Sequence, residues 1–535
     1  MNTILRLVHF VMVILLVMVA TTGCTREVTQ TDPAPQVEPN QPPQPQEQQS
    51  VSPADEQVKE TLEELWSAII QQGRKTGNTH EVVRRIEKQD RELIESISTE
   101  KIVMRRQEQT IETNVVNRFL ETPAGQLVSY ETNVQQGGNS SSFAGQVSAD
   151  GYTLTITTTA AGRSFSEEIP WKPEWGGVYA AAQLLENPPI KPGQTRETTA
   201  LAPMLNQACQ IKYVAGKLEP VKLLDGSEVE LLRVSNVISQ KDKPLMEIPM
   251  WVDLEGHTVK MAPPGPGMVI YRCTQDFAES PIEAIEFDLA AETIVPLAQP
   301  LDGVHTDKTS AEYLITLKKN ISPTLFPTSG SQWTSDLTKK SLHLHLIALR
   351  PETKLPPQLS EQTPPTDADL AASSLVQVDD PLVQKMATQA KTPNNEPWKL
   401  ALELEQQVHQ AIQQKDFSQA FASAAEVAKS QTGDCTEHAV LLIALLRAHQ
   451  IPARAAVGLV YYDGKSGRGF AYHMWTEAWI DGRWIPIDAT LGRGGIGVGH
   501  IKIADSDLAG GGALAAFLPV TQVIGNIEIK PLSLE

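Results

Sequence analysis

The sequence is short of positive charge. Of its 535 residues, 45 are lysine or arginine and 64 are aspartate or glutamate, so the formal net charge is −19. We expect no nucleic-acid partner, because phosphate binding needs a concentrated basic face. Hydrophobic residues make up 41% and charged residues 20%, which is typical of globular proteins. The chain is too long to fold around a single hydrophobic core, so about two to four domains are expected.

Cysteine is also scarce, with four residues in the whole chain. Cys24 lies in an N-terminal segment that is described next. Cys209 and Cys273 are left to form one disulfide in an oxidising compartment or to remain two buried thiols, and the sequence favours neither. Cys435 is then the odd thiol, which makes it a candidate reactive group.

Residues 1–24 have the pattern of a secretory signal peptide rather than of a folded element. Arg6 supplies a positive charge before an almost wholly apolar run, Leu7 to Ala20. Gly23-Cys24 at the end of this segment resembles the lipobox of bacterial lipoproteins. The resemblance implies that Cys24 is acylated and anchors the protein in a membrane, although Thr21 departs from the aliphatic residue usual in the motif. Cleavage at another position and an uncleaved anchor helix are the alternatives.

Residues 25–57 are rich in proline and glutamine and contain no aromatic residue, leucine or isoleucine. Such a segment buries too little apolar surface to fold and behaves as an extended tether. A tether directly after Cys24 would hold a globular part off a membrane surface. We therefore expect an exported lipoprotein, anchored in the cell envelope and facing the periplasm or the exterior.

Residues 58–285 are predicted to begin with two helices and to continue as an antiparallel β domain. Apolar residues recur at three-to-four-residue spacing within 58–69 and again within 82–97, which favours helices. From about residue 102 to about 300 the alternation has period two and predicts about six to ten strands. Asp225-Gly226 and Glu255-Gly256 each stand between two β-type runs and predict hairpin turns.

The rest of the chain is predicted to have three parts. Residues 286–354 keep a β pattern and form a further β-rich domain or an extension. A proline-rich linker at 355–372 separates them from a C-terminal domain at 373–535, which starts with amphipathic helices. His343 and His345 share one strand face, but no further ligand stands at metal-binding spacing, so we interpret them as an ordinary strand face.

The segment from Thr432 to Ile443 has the pattern of a helix start. Asp434 precedes a long apolar run and Glu437 follows three residues later, which predicts a capping box with Asp434 as N-cap. Cys435 is then the first helical residue, where the positive end of the helix favours the thiolate. The backbone N–H of Cys435 is predicted to donate to a developing oxyanion. His438 lies near the same turn, and we interpret it, with Glu437, as structural.

A candidate base comes from the following β segments. Asp481-Gly482 between two β runs predicts a type I′ hairpin, which fixes the strand register. In that register Ile480 pairs with Arg483. His473 and Asp488 then share one face as diagonal neighbours, with Cβ atoms about 7–8 Å apart, and their side chains are expected to hydrogen-bond. A carboxylate in that position orients the imidazole and stabilises the imidazolium form.

These three segments, in this order, resemble the transglutaminase-like superfamily. They are Gly-Asp-Cys at 433–435, Tyr-His-Met-Trp-Thr-Glu at 472–477 and Pro-Ile-Asp-Ala-Thr at 486–490. The resemblance covers roughly residues 375–510 and implies a papain-like core. It implies Cys435 as nucleophile, His473 as general base and acid, and Asp488 as the orienting carboxylate. An oxyanion side-chain donor is usual in the family, but the sequence assigns none.

The expected fold class is therefore α+β and multidomain. A mainly antiparallel β region at the N-terminal side precedes a papain-like, transglutaminase-like α+β domain. Trp475, Trp479 and Trp484 share the face of His473, where they either wall the cleft or only pack. The segment Gly492 to Gly497 matches a dinucleotide-binding pattern, but a strand rather than a helix follows it, so we interpret it as a mobile loop near the rim of the site.

The chemistry implied is acyl transfer on protein or peptide amides through a cysteine thioester. Release of the acyl group by water makes the protein a peptidase or amidase, and release by an amine makes it a transglutaminase. For an exported lipoprotein we favour hydrolysis. No cofactor and no metal are expected, since no acidic cluster has calcium-loop spacing. The alternative is a catalytically silent, envelope-anchored binding or scaffold protein. The large β region, in which the sequence indicates no catalytic residues, would fit that function.

Overall fold

The computed structural model of the protein describes residues 56–535, except for gaps at 107–108, 137–138, 161, 241–242, 265–266, 287–293, 319–320, 415–421, 465–466 and 510–517. The signal peptide predicted at 1–24, the acylation of Cys24 and nearly all of the tether predicted at 25–57 lie outside the described residues and stay predictions. Within the described part, no helix has the length and apolar character needed to cross a membrane.

A large antiparallel sheet forms the N-terminal half of the described chain. Its strands are β1 Glu56–Gln71, β2 Arg74–Lys88, β3 Arg91–Arg106, β4 Gln109–Glu121, β5 Leu127–Gln136, β6 Asn139–Val147, β7 Thr153–Ala160, β8 Arg163–Pro170, β9 Thr195–Ala202, β10 Gln207–Lys222, β11 Glu228–Gln240, β12 Lys243–Val252, β13 Thr258–Met261, β14 Met268–Cys273 and β15 Ile285–Glu286. From edge to edge the order is β8-β7-β6-β5-β4-β3-β2-β1-β14-β13-β12-β11-β10-β9, and β15 adds to β3 in parallel.

The helical start predicted at 58–97 is wrong, because these residues form β1, β2 and the beginning of β3. Leu65 and Ile69 lie on one buried face with the polar Ser67 between them. The buried apolar residues are therefore four positions apart, although side chains on one face of a strand recur every two positions. The two-residue turn after β1 is Gln72-Gly73, with φ of +50° and +75°. Positive φ at both turn residues is typical of a type I′ hairpin, which joins β1 to β2.

The two hairpins predicted in this region are confirmed. Asp225-Gly226 lies between β10 and β11, and Glu255-Gly256 lies between β12 and β13. Gly226 has a φ of +83° and Gly256 a φ of +90°, a region that glycine enters without a steric penalty. At Gly256 a Cβ atom would also lie 2.2 Å from the carbonyl oxygen of Leu185, so the close approach needs glycine.

The C-terminal half combines helices with two smaller sheets. Its strands are β16 Val295–Pro296, β17 Ser310–Leu317, β18 Gln332–Ser335, β19 Ser341–Ile347, β20 Ala453–Gly464, β21 Gly467–Ile480, β22 Arg483–Ile487, β23 His500–Ser506 and β24 Ile527–Leu534. The helices along the described chain are α1 Val178–Glu186, α2 Gln275–Glu279, α3 Pro381–Ala387, α4 Pro397–Ala411, α5 Ala424–Ser430, α6 Cys435–Ala448 and α7 Leu518–Val523. One sheet has the order β16-β21-β20-β23 with β22 beside β21, and the other β18-β19-β17-β24.

The described residues within 286–354 contribute β16 to β19 to the two smaller sheets. The last strand, β24, pairs with β17, and β16 pairs with β21. Tyr313 on β17 donates its hydroxyl hydrogen to the carbonyl of Val498 at 3.0 Å. The predicted linker at 355–372 also packs on this body, since Trp484 donates from its backbone N–H to Gln362 and from its ring Nε1 to the carbonyl of Thr363.

Helix α6 is the centre of the C-terminal part. Its residues from Cys435 to Arg447 are all buried, and it packs against β20, β21 and the helices α3, α4 and α5. The guanidinium of Arg447 sits inside the protein and donates to the carbonyls of Ala371, Ala453 and Asp507. Burial lowers the pKa of Arg447 to about 10, against the opposing charge of Asp369, so the group stays protonated. One side chain thus joins the linker, the end of α6 and the loop after β23.

We predict that Arg447→Met destabilises the protein by about 1–3 kcal/mol, because the buried carbonyl of Ala453 loses both of its donors from the guanidinium. Urea unfolding of the full chain, followed by tryptophan fluorescence, measures the change. Arg91→Met at an exposed position is the control and should leave the midpoint unchanged. Equal midpoints for the two variants would show that the Arg447 contacts do not support the fold.

Candidate active site

Cys435 is the first residue of α6, as the capping pattern predicts. Asp434 Oδ1 accepts from the backbone N of Thr436 at 2.9 Å, and the backbone N of Asp434 donates to Glu437 Oε2 at 2.9 Å. Glu437 Oε1 also accepts from the backbone N of Ala422 at 3.1 Å, which ties the helix start to the segment before α5. The predicted capping box and the structural role of Glu437 are confirmed. The helix dipole at this position favours a thiolate.

Gly433 allows the chain to enter this helix start. Its φ is +150°, and a Cβ atom there would lie 2.3 Å from Cβ of Glu437. Any larger residue would therefore push apart the capping box. His438, one turn into the helix, donates from Nδ1 to the carbonyl of Asp434 at 2.6 Å. This contact supports the same turn and agrees with the structural role predicted for His438.

The β21–β22 hairpin has the register that the sequence predicts. Ile480 pairs with Arg483 across the turn. His473 Nε2 lies 2.9 Å from Asp488 Oδ2, directly beyond the end of β22. Both side chains are fully buried, at 0% and 1% exposed. The local strand geometry thus delivers the predicted imidazole–carboxylate hydrogen bond.

Helix α6 lies against the strand that carries this histidine. The hydroxyl of Thr476 on β21 donates to the carbonyl of Ala439 on α6 at 3.4 Å. Ala439 is one turn after Cys435, and Thr476 is three residues after His473. The packing brings the helix that begins with Cys435 onto the strand of His473. Cys435 is also buried, with 0% of its surface exposed.

Asp488 is held by hydrogen bonds at both carboxylate oxygens. Oδ1 accepts from the backbone N of Thr490 at 2.9 Å and of Leu491 at 3.4 Å. Oδ2 accepts from Nε2 of His473 at 2.9 Å and from Nε2 of His500 at 3.0 Å. Burial alone would raise the pKa of Asp488, but the electrostatic attraction of His473 and the hydrogen bonds from His473 and His500 outweigh burial and hold that pKa well below its ordinary value. Asp488 is therefore ionised.

The sequence analysis missed His500. This residue begins β23, which pairs with β20 so that His500 faces Val460. The segment from 498 to 503 was predicted as a strand, but no local spacing relates His500 to Asp488, because their contact depends on a long-range strand pairing. Burial lowers the pKa of His500, and the hydrogen bond and charge of Asp488 oppose that shift only in part. The ring is therefore neutral at neutral pH.

The three tryptophans predicted near the site divide into two groups. Trp475 packs on both imidazoles, with ring centroids 6.2 Å from His473 and 5.2 Å from His500. Trp479 and Trp484 instead pack against each other at 5.3 Å. Trp475 is buried and stacks on His473 while meeting His500 edge-on, whereas the other two tryptophans pack further along the hairpin.

The glycine-rich segment from Gly492 to Gly497 was predicted as a mobile loop, and the structure shows that it is anchored. The buried side chain of Glu405 accepts from the backbone N of Gly494 at 2.9 Å and of Gly495 at 3.2 Å. Burial raises the pKa of Glu405 to about 7, and the charge of Asp488 acts in the same direction. The segment borders the site, as predicted, because the backbone N of Gly492 donates to the carbonyl of Asp488 at 2.9 Å.

Among the described residues, two groups of side chains have ligand atoms close enough together for a metal ion, within 4.8 Å of one another. They are His473, Asp488 and His500 in the site, and Asp253, Glu255 and His257 in the large sheet. In the first group both Nε2 atoms lie at hydrogen-bond distance from one carboxylate oxygen. We interpret that group as a hydrogen-bonded triad of side chains, because the distances of 2.9 and 3.0 Å are those of N–H···O bonds.

His343 and His345 form no metal site with each other. His343 Nδ1 lies 2.6 Å from Glu312, and His345 Nε2 lies 2.8 Å from the hydroxyl of Ser335. Each ring thus has its own neighbour on the adjacent strand. These hydrogen bonds agree with the interpretation of the two histidines as part of an ordinary strand face.

Cys209 and Cys273 form no disulfide, and of the two free thiols Cys209 is buried while Cys273 is half-buried. Burial raises the pKa of Cys209 to about 12. It also raises the pKa of Cys273 to about 11, although the nearby charge of Lys75 acts against the shift. Both thiols stay protonated at neutral pH and are poor nucleophiles.

Residues 381–489 match the family model of the transglutaminase-like superfamily. The chain carries a transglutaminase-like domain. The matched range contains α6 and the β21–β22 hairpin and ends one residue after Asp488. The transglutaminase-like match indicates an enzyme of the general thiol-dependent type. No curated protein matches the chain in sequence.

Three solved structures are similar to parts of the chain. A candidate cysteine protease from Cytophaga hutchinsonii has 18% identity and a TM-score of 0.25, covering 43% of this chain and 86% of its own. A β-barrel-like protein from Brucella abortus has 10% identity and a TM-score of 0.27, covering 40% and 98%. A candidate protease from Parabacteroides distasonis has 12% identity and a TM-score of 0.16, covering 66% and 64%. These TM-scores are too low to support an argument about this chain.

We predict that Gly433→Ala lowers the free energy of unfolding by about 1–3 kcal/mol, because it strains the backbone and opens the capping box. It should also slow alkylation of Cys435, since the helix start no longer holds its geometry. Gly162→Ala is the control: Gly162 has a φ of +73° but nothing within 4 Å of a Cβ atom. Urea unfolding and iodoacetamide labelling measure both effects. Identical values for the two variants would show that the close approach at Gly433 has no consequence.

Proposed function

We propose that this protein transfers acyl groups from protein or peptide amides through a thioester on Cys435. His473 is the general base and acid, and Asp488 orients its ring. The observation that carries the proposal is the buried His473–Asp488 hydrogen bond on the strand against which the helix of Cys435 packs. A nucleophile at a helix start, a base on the adjacent strand and a carboxylate on that base make up the arrangement that cysteine acyl transfer needs.

The side chains support a two-step reaction. His473 Nε2 is engaged by Asp488, so its Nδ1 is the ring nitrogen that takes the thiol proton of Cys435. The thiolate sulfur bonds to the amide carbonyl carbon, and the C–N bond breaks while the imidazolium returns the proton to the leaving amine. A water molecule or a second amine then attacks the thioester and regenerates the thiol. In this proposal the backbone N–H of Cys435, at the start of α6, stabilises the oxyanion.

Hydrolysis is the outcome that we favour over cross-linking. Both outcomes use the same side chains, and the difference lies in which nucleophile reaches the thioester. We further propose that the protein works outside the cytoplasm, held in the cell envelope by a lipid on Cys24. The support is the sequence pattern of residues 1–57, in which an apolar segment with a basic flank precedes a proline-rich tether. Protein or peptide chains at the envelope are then the substrates.

One observation favours a second function, that of a catalytically silent binding or scaffold protein. Cys435 and His473 are completely buried, and an enzyme must expose its nucleophile to a substrate. In the scaffold alternative the same residues only stabilise the C-terminal core. The two functions differ in one measurable property, which is the reactivity of the Cys435 thiol.

We predict that iodoacetamide alkylates Cys435 rapidly below pH 7 and that His473→Ala slows this about 100-fold at pH 6. The reason is that an ordinary thiol, with a pKa of about 8.5, is only ~0.3% ionised at that pH. Peptide mass spectrometry across pH follows the labelling. Cys209 and Cys273 are internal controls in the same protein, and they should label slowly at every pH below 8.

Labelling of Cys435 that is slow at pH 6 and indifferent to His473 would reject the acyl-transfer proposal and favour the scaffold function. Thermal unfolding of the His473→Ala variant checks that a loss of labelling does not reflect a loss of the fold.

A further inference from the structure

Asp488 receives hydrogen bonds from two imidazoles, although cysteine acyl transfer needs only one. We propose that His500 is a second positioning residue, which fixes the Asp488 carboxylate so that it orients His473. This inference rests on the acyl-transfer function proposed above. It adds a residue to the site that neither the sequence motifs nor the matched range 381–489 contains.

The geometry leaves Asp488 little freedom. A carboxylate has about four acceptor directions. In Asp488 two of them face the backbone N–H groups of Thr490 and Leu491, and two face His473 and His500. Rotation of the carboxylate about its Cβ–Cγ bond would break hydrogen bonds at both oxygens. Without His500, Oδ2 would be held by His473 alone, which is the side chain that Asp488 has to hold in place.

The ring of His500 makes its hydrogen bond to Asp488 through Nε2. Its Nδ1 is buried and has no hydrogen-bond partner in the described part of the chain. The proton therefore lies on Nε2, from which it is donated to Asp488. Trp475 packs edge-on against the ring at 5.2 Å, and His305 packs on it at 5.7 Å from the segment before β17. The contact with the buried Trp475 fixes the direction of the N–H bond.

A second donor also favours the charge distribution that the reaction needs. When His473 takes the thiol proton, the resulting imidazolium must keep its proton rather than pass it to Asp488. A further N–H bond to Oδ2 lowers the basicity of the carboxylate and so favours that state. The titratable groups that face His500 are Asp488 from the loop after β22, His473 from β21 and His305. Burial lowers the pKa of His305, and the charge of Arg493 acts in the same direction. Lys502 on the same strand is engaged by Glu477.

Three variants of the full chain test the proposal by the pH profile of Cys435 alkylation. His500→Leu removes the donor and should slow labelling at pH 6 at least about 10-fold, because a misplaced base loses rate steeply. His500→Gln keeps an N–H donor near the position of Nε2 and should recover most of the rate. His305→Leu is the matched control, since His305 contacts the ring of His500 but donates to the carbonyl of Tyr461, and it should stay within about twofold.

A double-mutant cycle with Asp488→Asn separates positioning from packing. If His500 acts through Asp488, His500→Leu has no further effect in the Asp488→Asn background. The proposal is overturned if His500→Leu labels like the wild-type protein, if His500→Gln is as slow as His500→Leu, or if the two losses multiply independently. When the wild-type protein shows His473-dependent labelling and His500→Leu does not differ from it, only this inference fails. When the wild-type protein shows no such labelling, the acyl-transfer function fails as well.

Discussion

The buried carboxylate of Asp488 is the interaction on which the arrangement of the site depends. It joins His473 on β21, His500 on β23 and the backbone that follows β22, so three neighbouring segments meet at one charge. An isolated buried carboxylate would be costly, and the hydrogen bonds from these segments make its ionised form stable. The enclosed surroundings strengthen the electrostatic effect of that charge on the imidazole. The carboxylate is therefore both a structural link and the group that gives His473 its orientation.

The parts of the site that sequence predicts are those governed by local geometry. The capping box of Asp434 and Glu437 specifies where α6 starts, and hence that Cys435 is its first residue. The turn at Asp481-Gly482 specifies the β21–β22 register and with it the hydrogen bond between His473 and Asp488. In both cases the determining residues lie within about one turn or one hairpin of the groups they position.

The parts that sequence does not predict depend on contacts between distant segments. His500 reaches Asp488 only because β23 pairs with β20. The pairing of β17 with β24, more than 200 residues later in the chain, likewise has no local signal in the sequence. The first strands were predicted as helices because Ser67, a polar residue, occupies a buried position between Leu65 and Ile69. A pattern of apolar residues alone cannot distinguish a helix from a strand with a partly polar buried face.

The measurement that tests the account most directly is formation of an acyl-enzyme. The full chain would be mixed with an activated ester such as p-nitrophenyl acetate, and the acylated residues would be identified by peptide mass spectrometry. The account predicts one acetyl group on Cys435 for each chain, formed with a burst of p-nitrophenol and absent from the His473→Ala variant. Acetylation that is absent, that falls on Cys209 or Cys273 instead, or that continues unchanged without His473 would contradict it.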